Sequence, residues 1–180
     1  MPRTFALLLL LAALPLGAQE KVHLSMDRDT HAYAFQLRVD QAGNALRDAG
    51  ASRTGGGAGF AMFLGDDPLR LRLRMDADTW SGKPAYGSIQ TAGLTAEAFY
   101  EFEAGDAVVP FVSGGPAFQH WILGSAPALG TERVTVNKLA FRAEAGVFIR
   151  RRFGVSLGVL TGSLQAGRQA TVTYLGLTFR

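Results

Sequence analysis

The stretch Leu69-Arg70-Leu71-Arg72-Leu73-Arg74-Met75 decides the fold class. Its alternate residues make one face of Leu69, Leu71, Leu73 and Met75 and an opposite face of Arg70, Arg72 and Arg74, which is the period of two of a β-strand. Strands with faces this different, in sufficient number, must close into a barrel or pack as a sandwich.

Outward from this stretch, alternation recurs at about 32–40, 58–65, 92–103, 107–119, 139–150, 153–160 and 170–180, giving eight strands with 69–76 included. Tight polar turns lie at Asp66-Asp67-Pro68, at 103–106 and at Arg151-Arg152, and alternate with longer connections at 41–57, 77–91, 120–138 and 161–169. Strict alternation of short and long places every short turn, with both termini, at one end. Transmembrane barrels have this layout, with short periplasmic turns and longer extracellular loops. The expectation is therefore an all-β, eight-stranded antiparallel up-and-down transmembrane barrel.

Which face looks inward separates a membrane barrel from a soluble lipocalin-like barrel that binds a hydrophobic ligand. No charge interrupts the apolar faces, such as Tyr33-Phe35-Leu37-Val39 or Leu139-Phe141-Ala143-Ala145-Val147-Ile149. The opposite faces mix charge with glycine, including Gly59, Gly115, Gly154, Gly158 and Gly176. A solvent-facing surface has no need of these glycines, whereas the crowded interior of a small barrel alternates small residues with large ones. Each of Arg70, Arg72 and Arg74 facing lipid would cost roughly 2 to 4 kcal/mol at the midplane. The arginines are therefore expected inside, in an ion-pair network of Arg38, Asp40, Arg70, Arg72, Arg74, Glu97, Glu101, Glu103, Arg142 and Glu144. Depth along the strands matches Arg70 with Glu103 and Arg72 with Glu101, and eight strands leave an interior that side chains fill. An aromatic girdle is expected of Tyr100, Phe102, Phe153 and Phe179 near the short turns, with Phe118 and Trp121 near the long loops.

Composition narrows the function classes. The 180 residues carry no cysteine, which excludes disulfides, thiolate metal sites and a cysteine nucleophile. A formal charge of +3, with basic and acidic residues interspersed, gives no support to nucleic-acid binding. Arg3 precedes an apolar run from Phe5 to Leu14, followed by Pro15-Leu16-Gly17-Ala18. This is the pattern of a secretory signal. The division expected is a signal peptide at 1–18, cleaved near Ala18 after Sec-type export, a periplasmic lead-in at 19–31 and a barrel at 32–180.

Two further segments, Pro110-Phe111-Val112-Ser113-Gly114-Gly115 and the final Thr173-Tyr174-Leu175-Gly176-Leu177-Thr178-Phe179-Arg180, carry a family resemblance together with the leader. The chain resembles the small eight-stranded bacterial outer-membrane barrels of the OmpX-like and OmpA-transmembrane-domain-like group. The resemblance implies outer-membrane lipid and lipopolysaccharide as surroundings. It also implies a monomer, and recognition of Tyr174, Gly176, Leu177 and Phe179 by the barrel-assembly machinery; Arg180 after the aromatic departs from the pattern. Such barrels serve as adhesins, anchors or resistance factors, and in a few cases as lipid A enzymes.

The leading expectation is a non-enzymatic barrel without cofactor or metal, its function carried by surface loops or by membrane integrity. The alternative is a lipid A-modifying enzyme built on His120, Ser125 and Glu132. A deacylase-like pattern sets His and Ser two residues apart on one strand face, but His120 is followed by Trp121 and Ile122. An interfacial His/Trp pair is the simpler reading. His23, Asp27, Asp29 and His31 have no compact metal-ligand spacing and suit a polar lead-in. The run Gly55 to Gly59 lacks the Lys-Ser/Thr of a phosphate loop and reads as a flexible loop running into a strand. Trp80 and Tyr86, placed in the second long loop, are ligand contacts or loop braces.

Overall fold

The computed structural model describes residues 33–82, 87–102, 107–124, 134–165 and 168–180. Eight strands, β1 (Tyr33–Ala42), β2 (Ala51–Leu64), β3 (Leu69–Gly82), β4 (Ile89–Glu101), β5 (Val108–Leu123), β6 (Val134–Ile149), β7 (Phe153–Gln165) and β8 (Arg168–Phe179), follow one another round a closed antiparallel barrel. A short helix, α1 (Asn44–Asp48), sits between β1 and β2. Pairing of β1 with β8, from Phe35 opposite Phe179 to Ala42 opposite Val172, closes the sheet and leaves no edge strand.

The outward faces are those expected. Leu37, Leu71, Phe141 and Leu157 are between 41% and 68% exposed and belong to an apolar wall that runs round the barrel. Water would not tolerate so extensive an apolar surface, whereas hydrocarbon suits it. The wall ends on a polar collar. Gln41 stands opposite Thr54 and Thr173, Thr79 opposite Gln90, and His120 opposite Asn137, each one outward position beyond an apolar or small residue.

The strands continue well past the limits read from the sequence, and this corrects the expected long loops. Most of 41–57, 77–91 and 161–169 is strand, as are 120–123 and 134–138 of the segment 120–138, and β7 runs to Gln165 with β8 resuming at Arg168. Strict alternation of short and long connections is therefore not kept. The physical reason is a reversal of polarity along unbroken strands. Beyond the collar the apolar residues Trp80, Trp121, Leu160 and Leu164 point inward and are buried, while Thr79, Ser81 and Ser163 point outward.

Glycines allow the large interior residues to fit. Gly55, Gly57 and Gly59 of β2 lie opposite Trp80, Asp78 and Asp76 of β3. A Cβ on Gly55 would enter the Trp80 indole, and one on Gly57 would overlap the Asp78 carboxylate. The run expected as a flexible loop is thus mid-strand, made small to admit its neighbours. The same arrangement recurs at Gly146 opposite Phe111, Gly154 opposite Phe148 and Gly158 opposite Tyr174.

Candidate functional site: a filled and sealed interior

Strand parity sends the residues between the outward leucines and aromatics into the barrel, where they form three layers. At the short-turn end Phe63, Phe99, Phe111 and Phe148 gather with Ala34, Ala61 and Val109. Ring centroids of Phe63 and Phe99 are 5.0 Å apart, of Phe99 and Phe111 5.1 Å, and of Phe111 and Phe148 4.8 Å. Arg180 covers this cluster, its guanidinium 3.8 Å from the centroid of Phe148 and 4.3 Å from that of Phe63, within cation–π range. It also pairs with Glu101, which lies 3.3 Å from Arg70. The departure at the chain's last position is a matter of register: with Phe179 outward, Arg180 falls inward.

The middle layer is charged. Glu144 accepts from Arg72 at 2.9 Å, from Gln36 at 2.8 Å, from the Tyr174 hydroxyl at 3.2 Å and from Arg74. Arg72 also holds Glu97, its register partner across β3 and β4. One level further out, Arg38 pairs with Asp78 and lies 3.2 Å from Asp76, which Arg142 approaches at 2.8 Å. Asp40 stands 3.8 Å from Arg38 Nε. Six arginines (38, 70, 72, 74, 142, 180) thus face six carboxylates (40, 76, 78, 97, 101, 144). Burial of charge at this density is tolerable only because opposite signs and hydrogen bonds meet.

Nine of the ten residues read as a network, Arg38, Asp40, Arg70, Arg72, Arg74, Glu97, Glu101, Arg142 and Glu144, lie together here, with pairings other than those matched by depth. Arg70 meets Glu101, and Arg72 meets Glu97 and Glu144 rather than Glu101, because barrel shear offsets the strands. Glu103 lies outside the described residues. Asp76 and Asp78 join the network although sequence reading ended the strand at 76. The continuous alternation Arg70, Arg72, Arg74, Asp76, Asp78, Trp80 carried the signal.

At the far end Trp80 and Trp121 stack with centroids 6.2 Å apart. Around them lie Ile89, Ala117, Leu160, Leu164 and Val172, and Leu46 of α1 closes over the group, fully buried. The helix is tied down by Gly43, whose N–H donates to Thr171 O at 2.8 Å and where a Cβ would meet that oxygen at 2.7 Å. This places Trp121 inside, not in the girdle: on β5, Phe118 and His120 face outward, and Gln119 and Trp121 inward. Tyr100, Phe102 and Phe179 are exposed on the wall, as Phe118 is, and Phe153 stacks edge-on to Phe179 at 5.4 Å. Trp80 is likewise an interior brace, and Tyr86 lies outside the described residues.

Among the described residues these layers fill the barrel from end to end. A void between Gln36, Arg72, Arg74 and Thr178 measures about 10 Å³, space for about one water. The wall itself carries an apolar groove of about 560 Å³ bordered by Phe60, Met75, Leu94, Phe118 and Leu139. Just beyond it, His120 Nδ1 is 2.6 Å from Asn137 Oδ1. The next outward residue on β5 is Ile122, so no hydroxyl stands at the two-residue spacing; Ser125 and Glu132 lie outside the described residues, as do His23, Asp27, Asp29 and His31. Among the described residues no group of three or more His, Cys, Asp or Glu side chains could hold a metal ion.

Neither a protein-family model nor a curated protein matches the chain. Solved structures do. Neisserial surface protein A is 13% identical with a TM-score of 0.58, covering 82% of this chain and 96% of its own. The outer membrane enzyme PagL is 16% identical with a TM-score of 0.59, covering 81% and 98%. The N-terminal β-barrel domain of Pseudomonas aeruginosa OprF is 15% identical with a TM-score of 0.51, covering 82% and 95%. A surface protein and an enzyme share this architecture, so the fold does not select an activity. With its closed eight-stranded wall, apolar outside and ion-paired inside, the chain has the fold of the small bacterial outer-membrane β-barrels.

Proposed function

We propose that this chain is a monomeric, non-enzymatic integral protein of the bacterial outer membrane, acting through its outer end or through its contribution to membrane integrity. The observation that carries the reading is the inversion of polarity: apolar side chains clothe the outside while twelve paired charges fill the inside. A soluble ligand-binding barrel would hold its apolar residues around a cavity. Export through the Sec route with cleavage near Ala18, contact with lipopolysaccharide, and recognition of Tyr174, Gly176, Leu177 and Phe179 by the assembly machinery belong to the same reading.

A lipid A-modifying enzyme is the second reading, favoured by the shared fold with PagL and by the apolar groove beside His120. Against it, the outward neighbours of His120 are Ile122 and Asn137, which supply neither nucleophile nor acid. Cell fractionation with gels run boiled and unboiled tests the membrane reading. A heat-dependent mobility shift in the outer-membrane fraction is expected, and recovery as a soluble periplasmic protein would remove it. Mass spectrometry of lipid A from cells with and without the protein tests the second reading. An unchanged acyl pattern is expected, and an altered one would put the enzyme first.

A further inference from the structure

The polar collar is not uniform. Where β1 meets β2 and β8, two guanidinium groups stand at its level, Arg47 on α1 and Arg53 near the start of β2, and both are exposed. Among the described residues neither meets a carboxylate; the Arg47 guanidinium donates to the side-chain oxygen of Asn44. The nearby Asp48 is turned toward Arg168, at 3.8 Å, so this part of the rim keeps a positive excess. With Gln41, Asn44, Thr171 and Thr173 the two arginines line a polar recess of about 250 Å³.

Directly below the recess the wall opens into a shallow groove of about 590 Å³, bordered by Val39, Leu157 and Leu175 and sharing Gln41, Arg53 and Thr173 with the recess above. The two are one register step apart, Gln41 opposite Thr173 in the recess and Val39 opposite Leu175 in the groove. Asp40 borders it from the inner side, but its carboxylate is 1% exposed and turned toward Arg38, so it brings little negative charge to the outside.

A cationic, hydrogen-bonding recess stacked on an apolar groove is complementary to one kind of molecule, an amphiphile with an anionic head and a hydrocarbon tail. Guanidinium forks match phosphate oxygens in a bidentate manner, with Thr, Gln and Asn side chains completing the shell. The junction lies where the wall turns from apolar to polar, which is the depth of lipid phosphates. We infer that the β8–β1–β2 seam binds a phosphate-bearing lipid of the outer leaflet. Its phosphate rests on Arg47 and Arg53, and an acyl chain lies along Val39, Leu157 and Leu175. The inference rests on the placement of the barrel in the outer membrane and adds to it a defined lipid contact.

The test uses the full chain folded in detergent micelles, with folding checked by the boiled and unboiled mobility shift. Native mass spectrometry then measures binding of bis-phosphorylated lipid A, of dephosphorylated lipid A with the same acyl chains, and of inorganic phosphate. The phosphorylated lipid should bind, and the double variant Arg47→Gln/Arg53→Gln should bind it roughly tenfold or more weakly, the loss expected for charge-assisted contacts. Arg150→Gln/Arg152→Gln, at the opposite end, should bind as the parent does, and all variants should keep the mobility shift. Equal binding of the dephosphorylated lipid, or full binding by the Arg47/Arg53 variant, would overturn the lipid site while leaving the barrel's placement intact. Saturable binding of inorganic phosphate alone would also overturn it, in favour of a soluble anion. A chain that will not fold into micelles would take down the membrane placement and the site together.

Discussion

The middle of the barrel interior and its two ends are filled by opposite chemistry. The middle is a belt of arginines and carboxylates centred on Glu144, while the ends are apolar, four phenylalanines at one and Trp80, Trp121 and Leu46 at the other. The ends also differ from each other. The phenylalanine end is built entirely from strand parity, each ring being an inward residue of the wall, with Arg180 following from the same register. The tryptophan end needs a residue that is not in the wall at all, Leu46 from the short helix. The comparison indicates a division of labour: apolar ends exclude water from a belt whose pairings tie strands together across the interior, β3 to β6 through Arg72–Glu144 and β1 to β3 through Arg38–Asp76. A desolvated ion pair adds little net stability over an apolar core, but removing one member of it is expensive.

The largest effect should therefore come from the belt. Arg72→Ala would strip one partner from both Glu97 and Glu144, a loss of about 3 to 5 kcal/mol for a buried pair. Denaturant unfolding of the detergent-folded protein, or the temperature at which the mobility shift is lost, would show it; a variant as resistant as the parent would sink the ion-paired belt. Leu46→Ala should cost about 2 to 5 kcal/mol if α1 is a true part of the interior. Its separate mark is a red shift of tryptophan emission, because the opening lies over Trp80 and Trp121. Loss of stability with no spectral change would mean that Leu46 does not cover the indoles.

Glycine spacing predicts the next effect. Gly158→Ala places a methyl into the Tyr174 ring and should destabilise by about 1 to 3 kcal/mol, and Tyr174→Leu in the same chain should recover part of the loss. Purely additive losses in that cycle would contradict the pairing of small with large. The smallest effect lies at the β6–β7 turn. Arg150 and Arg151 both adopt left-handed backbone, φ 49° and 56°, with the Arg152 N–H donating to Ile149 O at 3.2 Å. This is a type I′ hairpin turn, which favours Asn-Gly. Arg150→Asn/Arg151→Gly should stabilise by roughly 1 kcal/mol, read as a higher unfolding midpoint, because relief of the left-handed strain outweighs loss of the exposed Arg151–Asp67 pair at 3.1 Å; a lower midpoint would reverse that order.

Much of this was legible in the residues. The alternation at 69–75 identified a strand, the uninterrupted apolar faces identified the wall, and Arg38, Arg72, Arg74, Glu97, Arg142 and Glu144 all face inward as read. What escaped has a physical pattern. Strand ends were cut short because polarity reverses at the collar while the backbone continues unchanged, and hydrophobic periodicity reports the side chains alone. That reversal hid the inward positions of Asp78 and Trp121. The phenylalanine cluster escaped because Phe99 and Phe111 sit on faces whose other members, Glu97 and Glu101 or Ser113 and Gly115, read as polar. Ion-pair partners escaped because they depend on shear, which no single strand encodes. The helix at Asn44–Asp48 is too short to show a period.

Both tryptophans of the chain, Trp80 and Trp121, lie inside the barrel, and a pattern reading would place Trp121 on the lipid side. Tryptophan quenching by brominated acyl chains therefore tests the inside-out assignment most directly. In vesicles of brominated lipid the parent should keep most of its emission. A Trp80→Phe/Trp121→Phe chain carrying Phe118→Trp on the wall should lose most of its own. Strong quenching of the parent, or weak quenching of the wall variant, would contradict the account that the apolar face meets lipid and the charged face fills the barrel.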